Sequence, residues 1–176
     1  LRSSLSVLGD GFVEAIDSND IVANANAQPA SMRGTVIEVP VLEAPGRTRV
    51  GRFGWKNQHA SLLSFSADAY LNEMGITSPM QRTENTNNGR ALPPGVDPFP
   101  NDLNVPEDDG EDVDLFAAFM RATKVPPRDQ AIRETVDSRI GSDLFDQVQC
   151  GVCHTRTFVT AARGTLINGG AFRVPA

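Results

Sequence analysis

Cysteine and histidine are nearly absent from this 176-residue chain, which has two of each. Two cysteines rule out a disulfide-stapled scaffold, where several bridges substitute for a core. Aromatic residues are sparse, with one Trp, one Tyr and nine Phe. No run approaches the roughly 18 apolar residues of a membrane span. Positive charge is also short: 16 Lys and Arg against 22 Asp and Glu leave a net charge of −6. A nucleic-acid backbone is therefore not an expected partner. The opening "LRSSLSVLGDGFVEAI" lacks an initiator Met and the charged and apolar regions of an export signal, and reads as a mature or truncated start.

The remaining composition, 40% hydrophobic and 22% charged, is that of an ordinary soluble globular protein, long enough for one domain or two small lobes. No internal repeat stands out. A short helix is expected around Phe12 to Ile16, with a restart capped in Asp17-Ser18-Asn19-Asp20. Two β-prone runs, Thr35–Val41 and Thr48–Phe53, flank a Pro45-Gly46 turn and suggest a hairpin, with Pro40 marking an edge strand. The next helix is expected from His59 to Met74, stopped by Gly75.

Residues 77–111 are dense in Pro, Asn, Gly and acid and read as a long surface excursion. Its acids, including Asp97, Asp102, Glu107, Asp108, Asp109 and the adjoining Asp112, do not match the EF-hand pattern, so a solvated loop is expected. Val113, Phe116, Ala117 and Met120 then follow helical spacing, with Asp112 as cap and Pro126-Pro127 as stop. Further helices are expected from about Asp129 to Asp137 and from near Ser142, the latter leading through Leu144, Phe145 and Val148 into the cysteines. The tail reads as coil with one short strand. The fold class expected is mainly α, with a small β-hairpin and long irregular loops.

Both cysteines and one histidine fall within five positions, Cys150-Gly151-Val152-Cys153-His154. This C-x-x-C-H spacing suits covalent haem attachment: two thiols add to the two vinyl groups of one porphyrin, and the adjacent imidazole ligates iron. A redox dithiol uses the same C-x-x-C but usually sits at a helix N-terminus in a βαβ setting, which is not expected here. A zinc site would have to draw on Cys150, Cys153, His154 and His59, and adjacent Cys153 and His154 fit poorly around one tetrahedral ion. A plain disulfide leaves His154 unexplained. Haem is the preferred reading, and the dithiol is the alternative.

The segments "LGDGFVEAI", "GRFGWK", "NEMGITSP", "KVPPRD" and "GSDLFDQVQCGVCHTRT" together resemble the bacterial di-haem oxidoreductases, distant relatives of the di-haem cytochrome c peroxidases. The resemblance covers nearly the whole chain. It implies that Cys150, Cys153 and His154 form the second of two haem c sites, and that the protein is extracytoplasmic, in the periplasm or beyond. It also implies another C-x-x-C-H upstream and more sequence downstream, so a fragment, or a chain completed by a partner, is expected. On that basis residues 1–76 form an inter-haem region lining a first haem site, 77–111 the loop, and 112–176 the start of a cytochrome c-like domain.

Residue roles follow from the same resemblance. Trp55 resembles an aromatic lying between the haems, and Glu73 the acid–base glutamate of the peroxide-binding haem. Where the peroxidases place a glutamine upstream of that glutamate, this chain has Phe65. Candidate distal ligands are His59, Met32, Met74, Met80 and Met120, of which Met120 lies on an apolar stripe and suits core packing. If His59 and Glu73 share one helix they lie on one face about 21 Å apart, too far for a single iron. The partner expected is a redox protein or the remainder of the same protein.

Overall fold

In the computed structural model of the chain, residues 6–86, 90, 93 and 104–175 are described. Asp97 and Asp102 lie outside them. The described residues form helices α1 (Asp10–Glu14), α2 (Ser18–Ala27), α3 (Leu62–Ala69), α4 (Glu111–Ala122), α5 (Gln130–Arg133) and α6 (Val136–Gln147). Two antiparallel ribbons complete them, β1 (Glu38–Pro40) with β2 (Thr48–Val50), and β3 (Leu166–Ile167) with β4 (Phe172–Arg173). No helix among them is long and apolar enough to cross a membrane.

The expectation of a mainly α, cytochrome c-like domain is not met. The structure is 40% helical, its six helices are short, and much of the chain between them is irregular. Arginine side chains replace much of the missing backbone pairing. Arg49 donates to the carbonyls of Glu14 (2.7 Å), Ile16 (2.9 Å) and Ala60 (3.3 Å). Arg52 donates to the carbonyls of Val13, Glu14, Ile16 and Val50. Buried carbonyls must be satisfied by some donor, and here two guanidiniums take the place of a helix or sheet ladder.

The hairpin forms with Pro40 opposite Thr48 and Glu38 opposite Val50, but its strands have only three residues each. Proline has no N–H to extend the ladder. Gly51 is required beyond it, because a Cβ there would lie 2.0 Å from the Asn57 carbonyl oxygen. The Asp17 cap is as read from sequence, its carboxylate accepting from the Asn19 amide at 2.7 Å.

The third helix starts three residues later than expected. Ser61 caps it, accepting from the Ser64 amide at 3.0 Å. His59 instead sits in a bridge with Phe53, and its carbonyl accepts from the Arg52 (2.9 Å) and Phe53 (3.0 Å) amides. The helix α3 continues as a wider π-type turn through Tyr70–Met74 and ends at left-handed Gly75, φ 73°. Gly110, not Asp112, caps α4. Near the motif, the chain breaks at Glu134 and Thr135; the Thr135 hydroxyl accepts from the Ser138 amide at 3.2 Å, and α6 then runs through Gly141 without interruption.

Helix α4 packs against α3 and α1. Phe53, Leu62, Ala117 and Met120 form the core, with Val7, Val13, Leu63 and Phe65 packed around them. Met120 thus packs in the core, as its stripe suggested. At the heart of this layer lies Glu14, fully buried. Its carboxylate accepts from Arg121 Nε (2.7 Å) and Nη2 (2.9 Å), the Leu62 amide (2.8 Å) and Asn168 Nδ2 (2.9 Å).

Candidate functional site

Two places gather the residues singled out from the sequence. The first is a cleft of about 320 Å³ between α3, α4 and the loop after Phe53. Phe65, Ser66, Ala69, Tyr70, Glu73 and Met74 line it from α3 and its π-type turn. Phe116 and Met120 close it from α4, and Trp55 from the loop. The extra residue of a π-type turn shifts the side chains that follow it, and such turns recur at functional sites. Trp55 and Glu73, 18 positions apart in sequence, thus share one wall system.

The cleft is almost wholly apolar. Glu73 is the only carboxylate among the described residues lining it, and Trp55 is 55% exposed at its side. Phe65, the residue standing where a glutamine is expected, packs inward with its ring 6.1 Å from both the Phe53 and His59 rings. The loop bearing Trp55 is closed by the Phe53–His59 bridge.

His59 lies behind Phe65 and is not among the residues lining the cleft. The notion that it shares a helix with Glu73 is corrected by its place before Ser61. Its Nε2 is 3.2 Å from Asp68 Oδ2 but off the direction of a ring N–H, so no hydrogen bond forms there.

The second place is the cysteine turn. Helix α6 ends at Gln147, and Gln149 adopts a left-handed conformation (φ 63°) that swings the chain into a 3₁₀ turn over Cys150–Val152. The amides of Cys153 (3.2 Å) and His154 (2.9 Å) both donate to the Cys150 carbonyl. One tight turn therefore holds both thiols and the imidazole, with Cys150 half-buried and Cys153 and His154 exposed. The Phe145 ring stands 6.3 Å from His154, and Arg156 folds back over Phe145 at 4.4 Å while pairing with Asp146 at 3.0 Å. Beyond the turn, the Thr155 hydroxyl donates to Asn24 (2.6 Å) and the Ala161 amide to the Ala15 carbonyl (2.7 Å).

These residues fit a haem c. The donor set is two thiols for thioether links and one imidazole for iron, beside an aromatic ring and the exposed apolar residues Ile140 and Leu144 of α6 and Val148 just beyond it. They fit a metal alone less well: among the described residues, no three of His, Cys, Asp and Glu cluster as ion ligands.

The sequence reading missed the buried polar network and Tyr70. Glu14 sits in the apolar run "GFVEAI", and three arginines crowd "GRTRVGRFG". A charge inside an apolar pattern and an excess of arginine beside a hairpin were the available signals. Burial alone pushes the Glu14 carboxyl up, but Arg121, the Leu62 amide and Asn168 outweigh it and hold it below the ordinary range. Burial, aided by the neighbouring Arg49 charge, pulls Arg52 down to about 9, which leaves it charged at neutral pH.

A surface C-x-x-C-H turn and an apolar cleft lined by Glu73 are together what a haem oxidoreductase would require. The family described as "di-haem oxidoreductase, putative peroxidase" matches residues 1–174, and the chain belongs to it. No curated protein and no solved structure matches the chain.

Proposed function

We propose that this chain binds one haem c covalently through Cys150 and Cys153, with His154 as iron ligand, and moves single electrons through it as part of a di-haem oxidoreductase. The observation that carries the reading is the tight turn in which the Cys150 carbonyl accepts from both the Cys153 and His154 amides. That turn sets the spacing of the three donors. When bound, the haem supplies a one-electron iron couple. The chain's own contribution is to hold the imidazole in place, flank it with Phe145, and keep Cys153 accessible.

The dithiol alternative is less well supported. The cysteines follow the C-terminal end of α6, where the helix dipole is negative and disfavours a thiolate.

The cleft is read as one wall of a second haem's site. Its apolar lining suits the face of a flat macrocycle, and Glu73 is the group available there to carry a proton. Reductive splitting of a peroxide O–O bond needs a proton moved from the near to the far oxygen, and a carboxylate beside the cleft can accept and return it. Phe65 contributes no hydrogen bond to that transfer, so Glu73 acts without the neighbouring amide the peroxidases employ. Trp55, on the open side of the cleft, is read as the aromatic between the two haems. Haem c attachment takes place outside the bacterial inner membrane, so a location in the periplasm or beyond is part of this proposal.

The test is the reduced visible spectrum of protein matured with the haem-attachment machinery. Sharp α and β bands that survive acid–acetone extraction, and their loss in Cys150→Ser/Cys153→Ser, are expected. A wild-type chain from which all haem extracts would defeat the proposal.

A further inference from the structure

The chain has one Trp and one Tyr, and both line the same cleft. Among aromatic side chains these two give up a single electron readily; phenylalanine does not. Packing alone does not call for a tyrosine at position 70. Its ring meets Phe116 edge to face at 5.7 Å, and Phe116 meets Phe119 in the same manner at 6.4 Å. A third phenylalanine, from a chain that uses nine, would complete that cluster equally well.

What the phenol adds is an electron and a proton, and its surroundings offer a route for each. Tyr70 begins the π-type turn that carries Glu73. It lines both the cleft and a shallow depression on the protein surface, which it shares with Asp112, Leu115, Phe116 and Phe119. The residue thus stands between the two spaces. Asp112 is the carboxylate among the described residues lining the depression, and it is exposed to water. Partial burial, then the Asp112 and Asp108 carboxylates, push the phenol above its ordinary value. At neutral pH Tyr70 therefore keeps its proton, and losing an electron requires the proton to leave as well.

Resting on the reading of the cleft as a peroxide-reducing haem site, we propose that Tyr70 is a redox relay: it gives one electron inward to the cleft while its phenolic proton passes outward to the Asp112 carboxylate. Reduction of hydrogen peroxide to two waters breaks the O–O bond and consumes two electrons and two protons. Tyr70 supplies one electron, the haem iron supplies the other, and the protons come from solvent. The tyrosyl radical left behind returns to tyrosine by taking one electron from an external one-electron reductant and the proton held on Asp112. The oxidising equivalent is thereby moved from the cleft to the surface depression.

Because the chain has a single tyrosine, any tyrosyl radical in it is Tyr70. The haem-loaded protein is mixed with hydrogen peroxide, freeze-quenched and read by electron paramagnetic resonance, with ring-deuterated tyrosine in a parallel sample. A radical signal that narrows on deuteration is expected, and its absence in Tyr70→Phe. In a second measurement a flash-generated ruthenium(III) tris-bipyridine, a one-electron oxidant in solution, replaces peroxide. Asp112→Asn is expected to slow tyrosyl formation at least about tenfold; a positioned base is worth about a hundredfold or more, and water makes up part of its loss. Circular dichroism identical to wild type establishes that both variants fold, and the deuteration test needs neither. Peroxide consumed without a signal that narrows on deuteration would overturn the proposal, as would equal flash rates in wild type and Asp112→Asn. Peroxide left unconsumed would undo the cleft reading instead, and the flash rates then still decide whether Asp112 takes the Tyr70 proton.

Discussion

Glu14 and Arg121, 107 residues apart, form a two-point ion pair at 2.7 and 2.9 Å with the carboxylate side chain only 1% exposed. The pair ties α1 to α4. The same carboxylate takes the first amide of α3 and the Asn168 side chain of the tail. Both helices that wall the cleft are thus indexed to one buried charge. Arg121 also stacks its guanidinium over Phe172 at 3.8 Å, bringing β4 into the same cluster.

Removing Arg121 strands that charge. Arg121→Met is expected to cost about 3–5 kcal/mol in urea or thermal unfolding, because an unpaired buried carboxylate remains. The double variant Glu14→Gln/Arg121→Met should recover a large part of the loss, since no buried ion is left. A loss below about 1 kcal/mol for the single variant would show that the pair contributes little.

The same pair sets an acid limit. The folded Glu14 carboxyl lies below its unfolded value of 4.5, so its stabilisation is complete above that pH and is lost as pH falls through the lower, folded value. Unfolding free energy is therefore expected to drop below about pH 4.5 in wild type, with the drop reduced in Glu14→Gln. Parallel stability–pH curves for the two proteins below that pH would refute the assignment.

Glu73→Gln keeps the shape of the cleft wall but removes the one carboxylate among the described residues lining it. Peroxide turnover is expected to fall by at least about a hundredfold, the range of general acid–base catalysis, with the haem spectrum unaltered. Turnover within twofold of wild type would take Glu73 out of the mechanism.

His59 lies behind Phe65 and faces Asp68 rather than the cleft. His59→Ala is therefore expected to leave spin state and haem bands unchanged while lowering stability by about 1 kcal/mol through lost packing against Phe65. A shift to a high-spin spectrum would instead make His59 an iron ligand.

How much of this was legible beforehand varies from residue to residue. The Asp17 cap, the Gly75 stop and the Pro40 edge strand rest on rules that act within a few positions, and each holds in the structure. The start of α3 did not follow, because pairing of His59 with Phe53 competed with helix formation and Ser61 offered a better cap. The overall class failed for a related reason. Arg49 and Arg52 satisfy carbonyls of irregular chain from more than 30 positions away, and a local reading of periodicity cannot register such donors.

The order Cys150, Cys153, His154 belongs to the sequence alone, since covalent spacing within one turn needs no distant residue to specify it. The meeting of Trp55 with Glu73, and of Glu14 with Arg121 and Asn168, belongs to the tertiary structure. Those side chains lie on separate elements, and only the burial of Leu62, Ala117 and Met120 between α3 and α4 brings the elements together. Local chemistry can be spelled by neighbours in the chain, whereas a shared cleft or buried charge exists only once packing has excluded water from the space between them.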